Sequence, residues 1–233
     1  MKTYFRVSVL MFLICVGAIT RPLYAEVEHP NFVFGLGYGV LDNDSLVNID
    51  FAINMPVAEH ISTQVLLNSN YLITDSTEEN FAQSELSFNW FLNNHYGRVG
   101  FGLGFSELEP MDKSLDVERE LMGQVIGELF IDDFSLSAHY ISNEMTLSNV
   151  TSSRIGAGYY INEDQRISLY REEYGEEKIG WRLETYFQPK KYKQQGSVGI
   201  ILRTGEDYDY LGVIIQYYFD HNVSLLQREK EFH

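Results

Sequence analysis

The stretch from Phe32 to Val40 reads FVFGLGYGV, with Gly35, Gly37 and Gly39 at every second position. A near copy from Val99 to Phe105, VGFGLGF, carries Gly100, Gly102 and Gly104. Closely spaced glycines can cradle a phosphate, because bare backbone N–H groups then approach the ligand. A dinucleotide fingerprint, however, needs GxGxxG between a strand and a helix, with an acidic residue ~20 positions later. Here the spacing is GxGxG and both flanks are strand-like, so the glycines of each stretch fall on one strand face. That excludes a phosphate cradle. An inward glycine stripe instead makes room for bulky side chains from facing strands, or lets a sheet wall curve.

A second candidate is AHYISNEM, from Ala138 to Met145. It resembles the His-x-Ser-Asn of outer-membrane lipid A deacylases, in which His and Ser lie two apart on one face. In this chain His139 and Ser142 are three apart. On a strand they point to opposite faces, so no Ser–His pair forms, and His139 reads as a polar interior residue. No Asp/His constellation of the omptin protease type stands out either. The acidic stretches lack EF-hand spacing, and no metal or cofactor is expected.

The third candidate is a set of charges. Period-two alternation places Asp50, Glu85, Arg98, Glu120, Glu128, Arg154, Arg166, Arg182, Glu184 and Arg203 on the face opposite the apolar residues. Buried charge must be paired or hydrated. These residues therefore either fill an enclosed space as a salt-bridge network, or line a water-filled pore whose acidic and basic walls screen solutes.

The elements that position them are strands. Val47, Ile49, Phe51, Ile53 and Met55 alternate with Asn48, Asp50, Ala52 and Asn54; Leu86, Phe88, Trp90 and Leu92 alternate with Glu85, Ser87 and Asn89. Twelve such segments run from about Asn31 to Phe219, the least regular being 118–130 and 165–173, so ten strands is the rival count. Short turns at 56–60, 93–95, 131–133, 161–164 and 188–194 alternate with longer or more acidic connections at 42–45, 74–80, 107–118, 143–149, 172–180 and 205–207. The second set, with its flanks, holds Asp42, Asp44, Glu78, Glu79, Glu172, Glu173, Glu176 and Glu177 among others. It reads as a solvated outer surface. Lys190, Lys191 and Lys193 read the same way on a periplasmic turn. Aromatics gather at the short-turn ends: Trp90, Phe91, Tyr96, Phe130, Phe134, Tyr159, Tyr160, Phe187, Tyr217 and Phe219. A ring of that kind belongs at a membrane–water interface.

The rest of the chain agrees. Lys2 and Arg6 precede a 13-residue apolar run, Val7 to Ile19, and Leu23-Tyr24-Ala25 supplies a cleavage site. Residues 1–25 read as a secretory signal peptide, 26–219 as the barrel and 220–233 as a polar periplasmic tail. The one cysteine, Cys15, lies in the leader, so the mature chain has no thiol chemistry and no disulfide. A formal charge of −16 argues against a nucleic-acid partner. Mean hydropathy is −0.18, which rules out a helical membrane protein but not a barrel of alternating strands.

The final segment, YLGVIIQYYF (210–219), places Gly212, Tyr217 and Phe219 in a pattern that resembles the C-terminal β-signal of bacterial outer-membrane β-barrel proteins. Such signals usually end the chain, whereas here 220–233 follows. The resemblance implies an all-β, transmembrane antiparallel up-and-down β-barrel of twelve strands. It also implies the outer-membrane assembly machinery, outer-membrane lipid and lipopolysaccharide as partners. Size and layout are similar to the small oligosaccharide channels of the KdgM type. Autotransporter barrels also have twelve strands, but residues 26–31 are too few for their pore helix. Three functions stay open: a narrow channel for small hydrophilic solutes, a plugged structural or surface-contact barrel, and a lipid-modifying enzyme.

Overall fold

The structure is a computed structural model that describes residues 30–76, 80–112, 114–141, 151–174, 178–192, 195–219 and 223–231. The leader at 1–25, Ser142, the connection at 143–149, and Glu78, Glu79, Glu176, Glu177 and Lys193 lie outside the described residues.

The strands are β1 (Asn31–Leu41), β2 (Asp44–Ala58), β3 (Ile61–Ile73), β4 (Phe81–Asn94), β5 (Gly97–Pro110) and β6 (Glu118–Ile131). They continue as β7 (Phe134–Ile141), β8 (Thr151–Asn162), β9 (Gln165–Tyr174), β10 (Lys178–Phe187), β11 (Gly196–Thr204) and β12 (Asp209–Tyr218). A helix, α1 (Leu225–Glu231), follows. Each strand pairs antiparallel with its sequence neighbours, and β1 pairs with β12, giving a closed twelve-strand barrel. Among the described residues every strand pairs with a neighbour on both sides, the condition for strands to cross a bilayer.

The alternation of residue types is what makes these strands. β-Branched and aromatic side chains pack well on a pleated surface, and here they occupy the outward positions. Leu121 is 88 % exposed and Leu103 is 62 % exposed, within an outward band that includes Phe34, Leu36, Phe101, Phe105, Val125, Leu169 and Val213. Apolar exposure on that scale has no place in water and fits a lipid contact.

The β1–β2 connection is a two-residue turn with Asp42 and Asn43 at φ 50° and 86°, the type I′ geometry whose twist matches a hairpin. Asp42 also secures the closing seam: its backbone N–H donates to Asp209 O at 3.0 Å, and its Oδ1 accepts from the Asp209 N–H at 2.7 Å. At the other end of the seam, Phe219 N–H donates to Phe32 O at 3.1 Å.

Three expectations change. Much of the acidic "loop" sequence is strand: β5 runs through Pro110, β6 begins at Glu118, and Glu172 and Glu173 belong to β9. Backbone pairing simply continues past the apolar band. Phe91, Phe130 and Tyr160 are 1 %, 6 % and 1 % exposed and face inward, so they are not part of an outer aromatic ring. Their inward parity decides this, because neighbours on a strand point to opposite faces. Trp90, Tyr96, Phe134, Tyr159, Phe187, Tyr217 and Phe219 do remain exposed. Last, the room above the glycines is taken by adjacent strands rather than facing ones. A Cβ on Gly100 would lie 2.4 Å from the Phe91 ring.

Candidate functional site

The inner wall divides into an amide half and an ionic half. In the amide half, Asn54 donates to Asn31 at 3.0 Å, Gln64 to Asn54 at 2.7 Å, Asn89 to Gln64 at 3.0 Å and Gln124 to Asn89 at 2.6 Å. Gln124 Oε1 then meets His139 Nε2 at 2.7 Å. The amides all point the same way round, so an oxygen faces the ring and His139 must present Nε2–H to it. This belt crosses β1, β2, β3, β4, β6 and β7. It passes over β5 at Gly102, the register partner of both Asn89 and Gln124. Such a one-directional chain polarises each member in turn.

Nearer the long-loop end, the same half carries two carboxylates without cations. Asp50 Oδ1 accepts from Asn68 at 2.7 Å and from Asn48 at 3.3 Å, while Glu85 accepts from Gln83 at 3.0 Å. Asp50 lies within electrostatic range of both Glu85 and Arg182, yet it forms no ion pair among those of the described residues. Asp50 and Glu85 therefore stand apart from the arginine ladder, held by the amides of Asn68, Asn48 and Gln83.

The ionic half is a ladder. Arg203 Nε donates to Glu172 at 2.9 Å. Arg182 approaches Glu172 at 3.8 Å and pairs closely with Glu184. Arg166 contacts Glu184 at 3.3 Å and also pairs with Glu229 of α1. Three arginines thus alternate with three glutamates, from the long-loop end toward the short-turn end. Tyrosines brace them: the Arg203, Arg166 and Arg154 guanidiniums lie 5.2, 5.0 and 5.1 Å from the rings of Tyr208, Tyr186 and Tyr170, within cation–π range. Tyr208 also donates to Glu172 at 3.2 Å. Burial pushes its hydroxyl up to about 12, so it stays a donor at neutral pH.

The register sets all ten expected charges on inward positions, but it does not gather them into one site. Arg98 pairs with Glu128 at 2.8 Å and lies 4.5 Å from the Phe91 ring. Arg154 sits opposite His139. Glu120 is exposed, toward the long-loop rim of β6. Gly212 pairs with Gly39 across the seam, and the Tyr210 ring fills the space over both glycines. Tyr217 and Phe219 face outward, edge to face at 4.9 Å.

Two members of the ladder escape sequence reasoning. Glu172 is fully buried in β9. Continuing the alternation Arg166, Ser168, Tyr170 by one step would have found it. Glu229 lies beyond the last strand, where no periodic signal reaches. α1 caps the short-turn end of the ionic half. Leu225 is 1 % and Arg228 3 % exposed, and Arg228 stacks 3.8 Å from the Tyr218 ring. Leu226 N–H donates to Glu163 O at 2.9 Å, Gln188 to Val223 O at 2.7 Å and Lys230 to Asp132 O at 2.9 Å. Tyr160 donates to Glu229.

Solved structures share this architecture. A KdgM porin in complex with disordered oligogalacturonate superposes with a TM-score of 0.51 at 12 % identity, covering 81 % of this chain and 99 % of that one. An outer-membrane channel from Pseudomonas putida F1 gives 0.52 at 9 %, covering 86 % and 100 %. Outer membrane phospholipase A from Escherichia coli gives 0.53 at 10 %, covering 81 % and 95 %. The fold is that of a bacterial outer-membrane β-barrel. No protein-family model and no curated protein matches the sequence. At such identities the likeness concerns the fold alone, and a channel and an enzyme share it equally.

Proposed function

We propose that the chain is an exported bacterial outer-membrane protein that forms a narrow channel for small hydrophilic solutes. The observation that carries this reading is the inward pair Asp50 and Glu85, carboxylates that meet amides and no ion-pair partner among the described residues. Interior carboxylates without a paired cation call for hydration, which a water-filled lumen supplies. Twelve strands suit such a passage, lying between filled eight-strand barrels and open sixteen-strand porins. The short-turn end then faces the periplasm and the acidic end the cell exterior. Outer-membrane lipid and lipopolysaccharide surround the barrel, and Gly212, Tyr217 and Phe219 serve recognition by the assembly machinery. Likeness to the KdgM porin makes acidic and neutral oligosaccharides the first solutes to try.

The test is planar-bilayer recording on refolded protein. Steady single-channel current is expected, with ion selectivity altered by Arg182→Ala. Absence of any steady current sinks the reading. The second reading, a plugged structural barrel, is favoured by α1 at the short-turn mouth, and silent bilayers would support it. Among the described residues no side-chain arrangement favours a lipid-modifying enzyme. His139 points inward onto Gln124, and the other described histidines, His60 and His95, sit in turns against Glu59 and Tyr96. Unchanged lipid A in cells with and without the protein would remove that reading.

A further inference from the structure

The ion ladder is completed by a residue outside the barrel wall. Among the described residues, Arg166, Arg182 and Arg203 are matched by Glu172 and Glu184 of the wall and by Glu229 of α1. Without α1, three arginines would face two glutamates. The helix is also held differently from the strands. It has seven residues, LLQREKE, too few to be stable alone in water. Its attachments include one buried leucine, the Glu229–Arg166 ion pair, the Arg228–Tyr218 stack, the Tyr160 bond to Glu229 and hydrogen bonds at the β6–β7, β8–β9 and β10–β11 turns. Its other side chains are mostly charged, so it is soluble when released. A short segment held by side-chain contacts and single hydrogen bonds rather than by a continuous backbone ladder, and seated over one mouth, has the properties of a gate.

We propose that α1 is a detachable gate, closing the short-turn mouth when Glu229 sits on Arg166 and opening it when that contact breaks. This rests on the channel reading. Release does two things at once. It clears the mouth over β6 to β11, and it takes both Glu229 and the buried Arg228 away from that mouth. Opening therefore raises conductance in steps between two current levels with little change of selectivity, a behaviour that a permanently seated tail would not produce.

The experiment compares single-channel currents of four full-length proteins: the parent, Glu229→Gln, Leu225→Asp, and the double variant Glu163→Cys with Leu226→Cys. The last pair joins residues already hydrogen-bonded through their backbones. Glu229→Gln is expected to raise open probability roughly tenfold, the shift that weakening one charged hydrogen bond gives a two-state equilibrium. Leu225→Asp should do the same. The cysteine pair should stay closed when oxidised and recover parental gating when reduced. Channels with identical open probability in all four proteins, reduced or oxidised, would overturn the gate while leaving the channel reading intact. Silence in all four, reduced or oxidised, would overturn both.

Discussion

Asn89 and Gln124 stand on strands that are not neighbours, and their side chains meet at 2.6 Å over the intervening Gly102. The bare backbone of β5 is what allows the bridge. A Cβ on Gly102 would sit 1.8 Å from Asn89 Oδ1, closer than any real contact. The sequence GxGxG thus has a structural use here that differs from ligand binding. It lets an amide belt pass from one strand to the next but one.

Gly102→Val should therefore break the belt. Overpacking of this kind costs about 1–3 kcal/mol, and separating the amides adds about 1 kcal/mol. Urea unfolding of the refolded barrel should show a lower midpoint. Gly37→Ala should be milder, because a Cβ there meets nothing closer than 3.3 Å. Equal loss at both sites would refute the bridging role.

Glu172→Gln should destabilise the ionic half severely. The carboxylate is fully buried and serves Arg203, Arg182 and Tyr208. Removing one member of a buried ion network costs about 3–5 kcal/mol, because its partners stay buried without compensation. Glu107→Gln removes an exposed pairing with Arg119 and should cost far less, because solvent screens it. The same unfolding assay separates the two, and similar losses would count against the ladder.

Asp50 and Glu85 are held by amides rather than cations. The arginines of the ladder already have glutamate partners. The acidic pair should therefore bias an active channel toward cations. Asp50→Asn with Glu85→Gln should shift the reversal potential in a salt gradient toward anions. The shift should shrink at 1 M salt, where the screening length falls to about 3 Å. A parental reversal potential in the double variant would mean that these carboxylates do not face the permeation path.

The lipid face gives a separate prediction. Leu103 is 62 % exposed, in the middle of β5. Leu103→Arg should cost about 2–4 kcal/mol in lipid, the penalty for a cation near the bilayer midplane. Transfer of the refolded variant from detergent to bilayers should be impaired. Unimpaired insertion would place this position outside the apolar band.

How far the sequence reaches can be judged from neighbouring residues. Phe101 and Gly102 differ in facing, and period two alone separates them, because a strand permits only two directions. The same rule made the twelve strands and the inward charges legible, since lipid on one side and polar groups on the other impose opposite demands on alternate residues. Alternation says nothing about which inward groups meet. That Arg203 pairs with Glu172, that Asn89 reaches Gln124, and that Tyr210 covers Gly39 and Gly212 all depend on register and closure, which join residues far apart in the chain. Acidic composition hides the alternation where backbone pairing outlasts the apolar band, as at Glu172, although the alternation itself continues there. Alternation is silent where no strand exists, as at Glu229. Local chemistry by itself determined the barrel, its two faces and the absence of a phosphate cradle. Only the tertiary structure decided the partners inside, because a closed sheet brings β1 to β12 and α1 to β9, and no local period encodes those meetings.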